Sequence, residues 1–69
     1  MSESVYKVIE LVGSSPTSWE EAAARAVESA GKSLKNLRIA EVNKLDMKVE
    51  SGKITAYRAR VSLSFKYED

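Results

Sequence analysis

Between Arg38 and Tyr67 the sequence runs in a two-residue period broken once, at Ser51-Gly52, and this long hairpin limits what the chain can become. On its first arm, Arg38 to Glu50, Ile39, Glu41, Asn43, Leu45, Met47 and Val49 fall on one side, with Arg38, Ala40, Val42, Lys44, Asp46 and Lys48 on the other. Past the turn signal, Tyr57, Ala59, Val61, Leu63, Phe65 and Tyr67 alternate with Arg58, Arg60, Ser62, Ser64 and Lys66, which predicts a strand with one core face and one polar face. A strand of about 13 residues extends roughly 40 Å at ~3.3 Å per residue. One helix of about 15 residues reaches only about 22 Å. The far part of the ribbon, with Leu45, Met47, Val49 and Ile54, therefore needs other subunits against it, because an uncovered apolar ribbon with free edges invites aggregation.

The rest of the chain supplies that one helix and one more strand. Val5 to Val12 is rich in β-branched and aromatic residues and ends at Gly13-Ser14-Ser15-Pro16, which predicts a strand and a turn. Its apolar residues lie on both faces, suggesting a central or interface position. Trp19, Ala22, Ala23, Ala26, Val27 and Ala30 then recur at helical spacing, with Glu20, Glu21, Arg25 and Glu28 elsewhere, which is the pattern of one amphipathic helix. Ser18 and Glu21 have the spacing of a capping box, while Ser15-Pro16 offers an earlier start. Gly31 is a natural stop, although Leu34 and Leu37 leave room for another turn. A stripe made mostly of alanine lets the helix lie close to a sheet.

Sixty-nine residues form one small domain, residues 1–69, near the lower limit at which a hydrophobic core outweighs the entropy lost on folding. Neither disulfides nor a Cys/His zinc site can help, since the sequence has no Cys and no His. Association is the aid that remains. An apolar share of 43% with 30% charged residues describes a folded chain. Eleven basic and ten acidic residues are spread along it without a cluster, so no nucleic-acid footprint stands out. The apolar runs are too short to cross a bilayer, and Met-Ser-Glu-Ser lacks the regions of a signal peptide, so a soluble cytoplasmic protein is expected. Enzyme constellations are absent as well: there is no His or Cys base or nucleophile, no glycine-rich phosphate loop and no paired carboxylates at helical spacing in an apolar setting.

With the order strand, helix, long hairpin in place, the segment Val5 to Ser15 (VYKVIELVGSS) resembles the opening of dodecins, small flavin-binding proteins of bacteria and archaea. The alanine-rich helix, Ala40-Glu41-Val42, Tyr57 and Val61-Ser62-Leu63-Ser64-Phe65 continue the resemblance over nearly the whole chain. It implies an α+β subunit of β-α-β-β order, with a three-stranded antiparallel sheet wrapped around the helix and twelve copies forming a hollow dodecameric shell. It also implies flavins held between subunits, each stacked on a Trp of the second strand and bonded by a Gln of the third.

Both of those residues are replaced here. Alignment on Ala40-Glu41-Val42 puts Ile39 at the position of the Trp, and alignment on Tyr57 puts Arg58 at that of the Gln. Isoleucine keeps apolar contact but loses the stacking plane, worth on the order of 1 kcal/mol. Arginine cannot accept a hydrogen bond, yet its planar fork suits phosphate, carboxylate or carbonyl groups. Ile39, Arg58 and Glu41 are thus the ligand-binding candidates, with flavin preference weakened and anions favoured.

Two readings follow. In the first, a homo-oligomeric shell stores or sequesters a small flavin-type or anionic ligand. In the second, the same cage is free of flavin and binds a hard cation such as calcium, or has a structural or interaction role. Calcium needs several oxygen ligands; Asp46 and Glu50, with Glu41 and Glu10, are scattered along the chain but can be gathered from several copies at a symmetry axis. For each of these carboxylates the plainer alternative is a surface ion pair. For Arg58, Arg60 and Lys66 it is a solvated sheet face, and for Trp19 it is packing.

Overall fold

A computed structural model describes residues 4–67. Strand β1 (Tyr6–Ser15), helix α1 (Trp19–Ser33), strand β2 (Leu37–Glu50) and strand β3 (Lys53–Lys66) follow one another, and the antiparallel sheet has the order β1-β3-β2. The β-α-β-β expectation therefore holds. β1, however, is an edge strand, and the central place belongs to β3. Ile9 and Leu11 turn toward the helix and are half-buried, whereas Tyr6, Val8 and Val12 stay exposed on the opposite face.

β1 also continues three residues into the segment expected to turn. Gly13 pairs with Ala59 and Ser15 with Tyr57. At Gly13 the missing side chain serves proximity: a Cβ there would overlap the carbonyl oxygen of Ala22 and press on the Ala26 methyl at 3.2 Å. A glycine on the strand and alanines on the helix together let the two backbones touch. Ser15 is buried; its hydroxyl accepts from the Thr17 amide at 3.0 Å and donates to the Glu21 carboxylate.

That bond alters the expected capping box. Ser18, in an extended conformation, caps α1 by accepting from the Glu21 amide at 3.0 Å. Glu21, instead of returning to the Ser18 amide, takes the Ser15 hydroxyl, which holds its carboxyl below the ordinary glutamate range against the opposing effect of desolvation. The helix runs past Gly31 to Ser33, and the Leu34 amide closes it on Ala30 O at 2.8 Å.

The core comprises Ala22, Ala26 and Ala30 of the helix against Ala59, Val61 and Leu63 of β3. These β3 residues fix which side of β2 faces inward, since directly paired side chains share a face. Ala40 lies opposite Leu63, Val42 opposite Val61, Leu45 opposite Ala59 and Met47 opposite Tyr57. Register shifts between Leu37 and Ile39, Val42 and Lys44, and Lys48 and Val49 interrupt the pattern. The two-fold pattern expected for β2 is thus broken at Asn43, where one extra residue inverts the faces as a β-bulge does. Ile39 and Glu41 consequently share the outer face with Lys44 and Asp46, and Leu45, Met47 and Val49 share the inner face with Ala40 and Val42.

Ser51 and Gly52, both at positive φ (53° and 75°), make the tight turn joining β2 and β3. The subunit measures 53 × 20 × 15 Å, and its hairpin extends well beyond a helix of about 22 Å.

Candidate functional site

The outer face of the sheet, turned away from the helix, carries all the site residues singled out on β2 and β3 except Glu50, which lies at the hairpin tip. Register arranges them in rows: Val8, Ser64 and Ile39; Glu10, Ser62 and Glu41; Val12, Arg60 and Lys44; Ser14, Arg58 and Asp46. Each row crosses all three strands.

In the last row Arg58 and Asp46, one a ligand candidate and the other a cation candidate, bind each other. Nε meets Oδ1 at 2.7 Å and Nη2 meets Oδ2 at 2.8 Å, a two-point fork that fits guanidinium to carboxylate. The Arg58 hydrogen bond lowers the Asp46 pKa, with further lowering from the charges of Arg58 and Arg60, and Asp46 in turn raises that of Arg58. The guanidinium expected to receive an anion already holds one.

Ile39 is 61% exposed on this face, opposite Ser64. Ser64 and Arg58 are six residues apart on β3, roughly 20 Å at ~3.3 Å per residue. Ile39 and Arg58 of one subunit are therefore not brought together, and a pocket using both needs two copies.

Glu41 and Glu10 flank Ser62 from β2 and β1. Between them, Asn43 donates its amide N–H to Ser62 Oγ at 2.6 Å and lies 3.5 Å from Glu10 Oε2. Sequence alone does not single out Asn43; the signal for it lies in Val42 and Leu45, apolar residues three apart that only a bulge puts on one face. Glu50 pairs with Lys48 at 3.4 Å, both exposed. Among the described residues, no three of the His, Cys, Asp and Glu side chains come together as a metal site.

On the inner face, Trp19 packs as expected. Its indole N–H donates to Asp46 O at 3.0 Å, and its ring meets Tyr57 edge-on with centroids 5.0 Å apart. Beside it an open groove of about 520 Å³ is lined by Trp19, Glu20, Ala23, Val42 and Leu45.

This short, alanine-lined helix on a sheet with an overlong hairpin is the subunit architecture of the dodecins, and the dodecin family model matches residues 5–68; the chain belongs to the dodecin family. It is 56% identical over 64 residues to the calcium dodecin of Mycobacterium tuberculosis (strain ATCC 25618 / H37Rv), a match spanning 91% of this chain and 89% of that protein. Among solved structures, the dodecin of Streptomyces coelicolor superposes with a TM-score of 0.92 at 32% identity, covering 100% of this chain and 99% of that one. The M. tuberculosis calcium dodecin, described as a calcium-chelating antigen with a novel calcium-binding site, superposes with a TM-score of 0.83 at 53% identity, covering 94% and 93%. Among the described residues no helix is long and apolar enough to cross a membrane.

Proposed function

We propose that this chain forms a homo-oligomeric, non-catalytic dodecin shell, dodecameric as the family resemblance implies, that holds calcium in preference to flavin. The observation that carries this reading is the closed Arg58–Asp46 fork. It removes the hydrogen-bonding group at one flavin-recognition position, and the exposed Ile39 removes the aromatic plane at the other. The relationship to calcium dodecin at 56% identity supports the cation.

The donor chemistry fits a hard cation. With Asp46 engaged by Arg58 and Glu50 by Lys48, the available carboxylates on the sheet are Glu10 and Glu41, and the Ser62 hydroxyl adds an oxygen atom between them. Calcium takes about 6–8 oxygens at roughly 2.3–2.6 Å, more than one chain provides here, so neighbouring copies or water complete the set. Bound calcium would neutralise the paired carboxylates and cross-link subunits.

Melting with calcium, magnesium or a chelator, followed by native mass, tests the reading. Calcium is expected to raise the melting temperature of an assembled species, and Glu41→Gln, which removes one charged ligand, is expected to weaken calcium binding at least about tenfold and so to shrink that rise. Quenching of riboflavin fluorescence at low micromolar protein without any calcium effect would favour the flavin-type or anionic ligand reading instead.

A further inference from the structure

The groove beside Trp19 and the uncovered end of the hairpin lie on the same inner face, and Leu45 belongs to both. Past the helix start, Leu45, Met47, Val49 and Ile54 are 52%, 43%, 58% and 52% exposed. Val49 and Ile54 pair across the strands, so these side chains form one contiguous apolar surface, on the order of a few hundred Å², which a monomer rarely leaves bare. The core of the subunit, six buried residues of which four are alanine, offers little to offset it.

Charge distinguishes the two ends. The groove has the Glu20 carboxylate on its lining. The hairpin tip has Lys53, whose cross-strand neighbour Glu50 is taken by Lys48. Among the described residues Lys53 has no ion-pair partner. The groove wall is held in place beforehand by the Trp19 bond to Asp46 O and by the edge contact with Tyr57.

We infer that the hairpin tip of a second copy fills this groove. Val49 and Ile54 of one subunit pack on Trp19, Ala23 and Val42 of its neighbour, and Lys53 reaches Glu20. The inference deepens the homo-oligomeric reading above and rests on it. Since groove and tip lie on either side of Leu45, a two-fold axis passing near that residue makes the embrace reciprocal, with each copy giving a tip and receiving one, as an isologous contact requires. One alanine and one valine in the groove, Ala23 and Val42, leave room for larger side chains from outside, and apolar burial supplies the affinity while the Lys53–Glu20 pair selects the direction.

Because the sequence has no cysteine, cross-linking tests this cleanly. Ala23→Cys and Val49→Cys chains are co-refolded and oxidised, and each is also oxidised alone. The mixture is expected to give a disulfide-linked pair containing one of each, and neither chain alone is expected to link. Linkage of Val49→Cys with itself overturns the inference, as does the lack of a mixed pair in a sample that native mass shows to be assembled. A monomeric wild type overturns the homo-oligomeric reading too, so mass separates the two failures. As a milder arm, Glu20→Lys and Lys53→Glu should each raise the protein concentration at the midpoint of assembly severalfold, and the double variant should bring it back down. Equal weakening with no recovery also counts against the contact.

Discussion

The indole N–H of Trp19 donates to the backbone oxygen of Asp46 at 3.0 Å, so the first residue of α1 is fastened to β2 at the strand position whose side chain grips Arg58. The start of the helix and the outer-face ion pair thus meet at one residue.

Replacing Trp19 by Phe keeps one ring near Tyr57 but removes the N–H donor and part of the indole's apolar surface. The expected loss is at least about 0.5–1 kcal/mol, the net value of one such hydrogen bond near solvent. Urea unfolding at fixed protein concentration reads it, and an unchanged midpoint would show that the bond does not hold the helix to the hairpin.

Two glycines should respond in opposite directions to the same substitution. At Gly13 an added methyl collides with the backbone of Ala22, so Gly13→Ala forces the helix off the strand and should destabilise by about 1–3 kcal/mol or more. Gly31 lies in the helix with open space around it, so Gly31→Ala should stabilise by roughly 0.5–1 kcal/mol. Chemical denaturation of both variants checks the contrast.

Asp46 has a pKa lowered chiefly by the hydrogen bond from Arg58. A carboxylate depressed on folding contributes stability that is fully present above its unfolded value, about 3.9, and is lost as pH falls through its folded value. Wild-type protein should therefore lose stability as the solution is acidified below that range, and Asp46→Asn should lose less over the same interval. The fork is half-exposed, so the difference is small and should shrink in high salt. Thermal melts across that interval, at low and high salt, give both comparisons.

A gain of function tests the assigned pocket. Ile39→Trp supplies a stacking plane, and Arg58→Gln opens the fork and supplies an amide that can accept. The double variant, as an assembled species, is expected to bind riboflavin roughly fivefold more tightly than wild type, read from fluorescence quenching, given stacking worth on the order of 1 kcal/mol. No gain in an intact assembly would mean that the two positions do not meet around a flavin.

Much of the fold was legible in the sequence because its signals are local. The Trp19-to-Ala30 stripe, the Ser18 cap, the Ser51-Gly52 turn and the alternation of β3 each rest on spacing within a few residues. What escaped depends on partners distant in sequence. Gly13 looks like a turn in sequence because only the approach of Ala22 explains it otherwise, and the two-sided apolar pattern of β1 leaves a central and an interface position open because pairing order is not written in a single strand.

The site shows the same division. Arg58 and Asp46 were both identified as chemistry-bearing, but for opposite ligands. With no bulge, continuing the Val42 to Val61 pairing would set Arg58 opposite Leu45; the extra residue at Asn43 sets it opposite Asp46. A one-residue insertion in register thus decides whether the arginine is an anion receptor or half of an ion pair. Glu10 and Glu41 become neighbours across Ser62 through pairing between strands far apart in the chain.

Four alanines, a valine and a leucine are all the apolar side chains that the subunit seals from water among the described residues. In the proposed assembly an interior of that size leaves most of the stabilisation to contacts with other copies, which makes folding and assembly there a single equilibrium governed by mass action. Dilution alone should then act as a denaturant, and the melting temperature should climb with protein concentration.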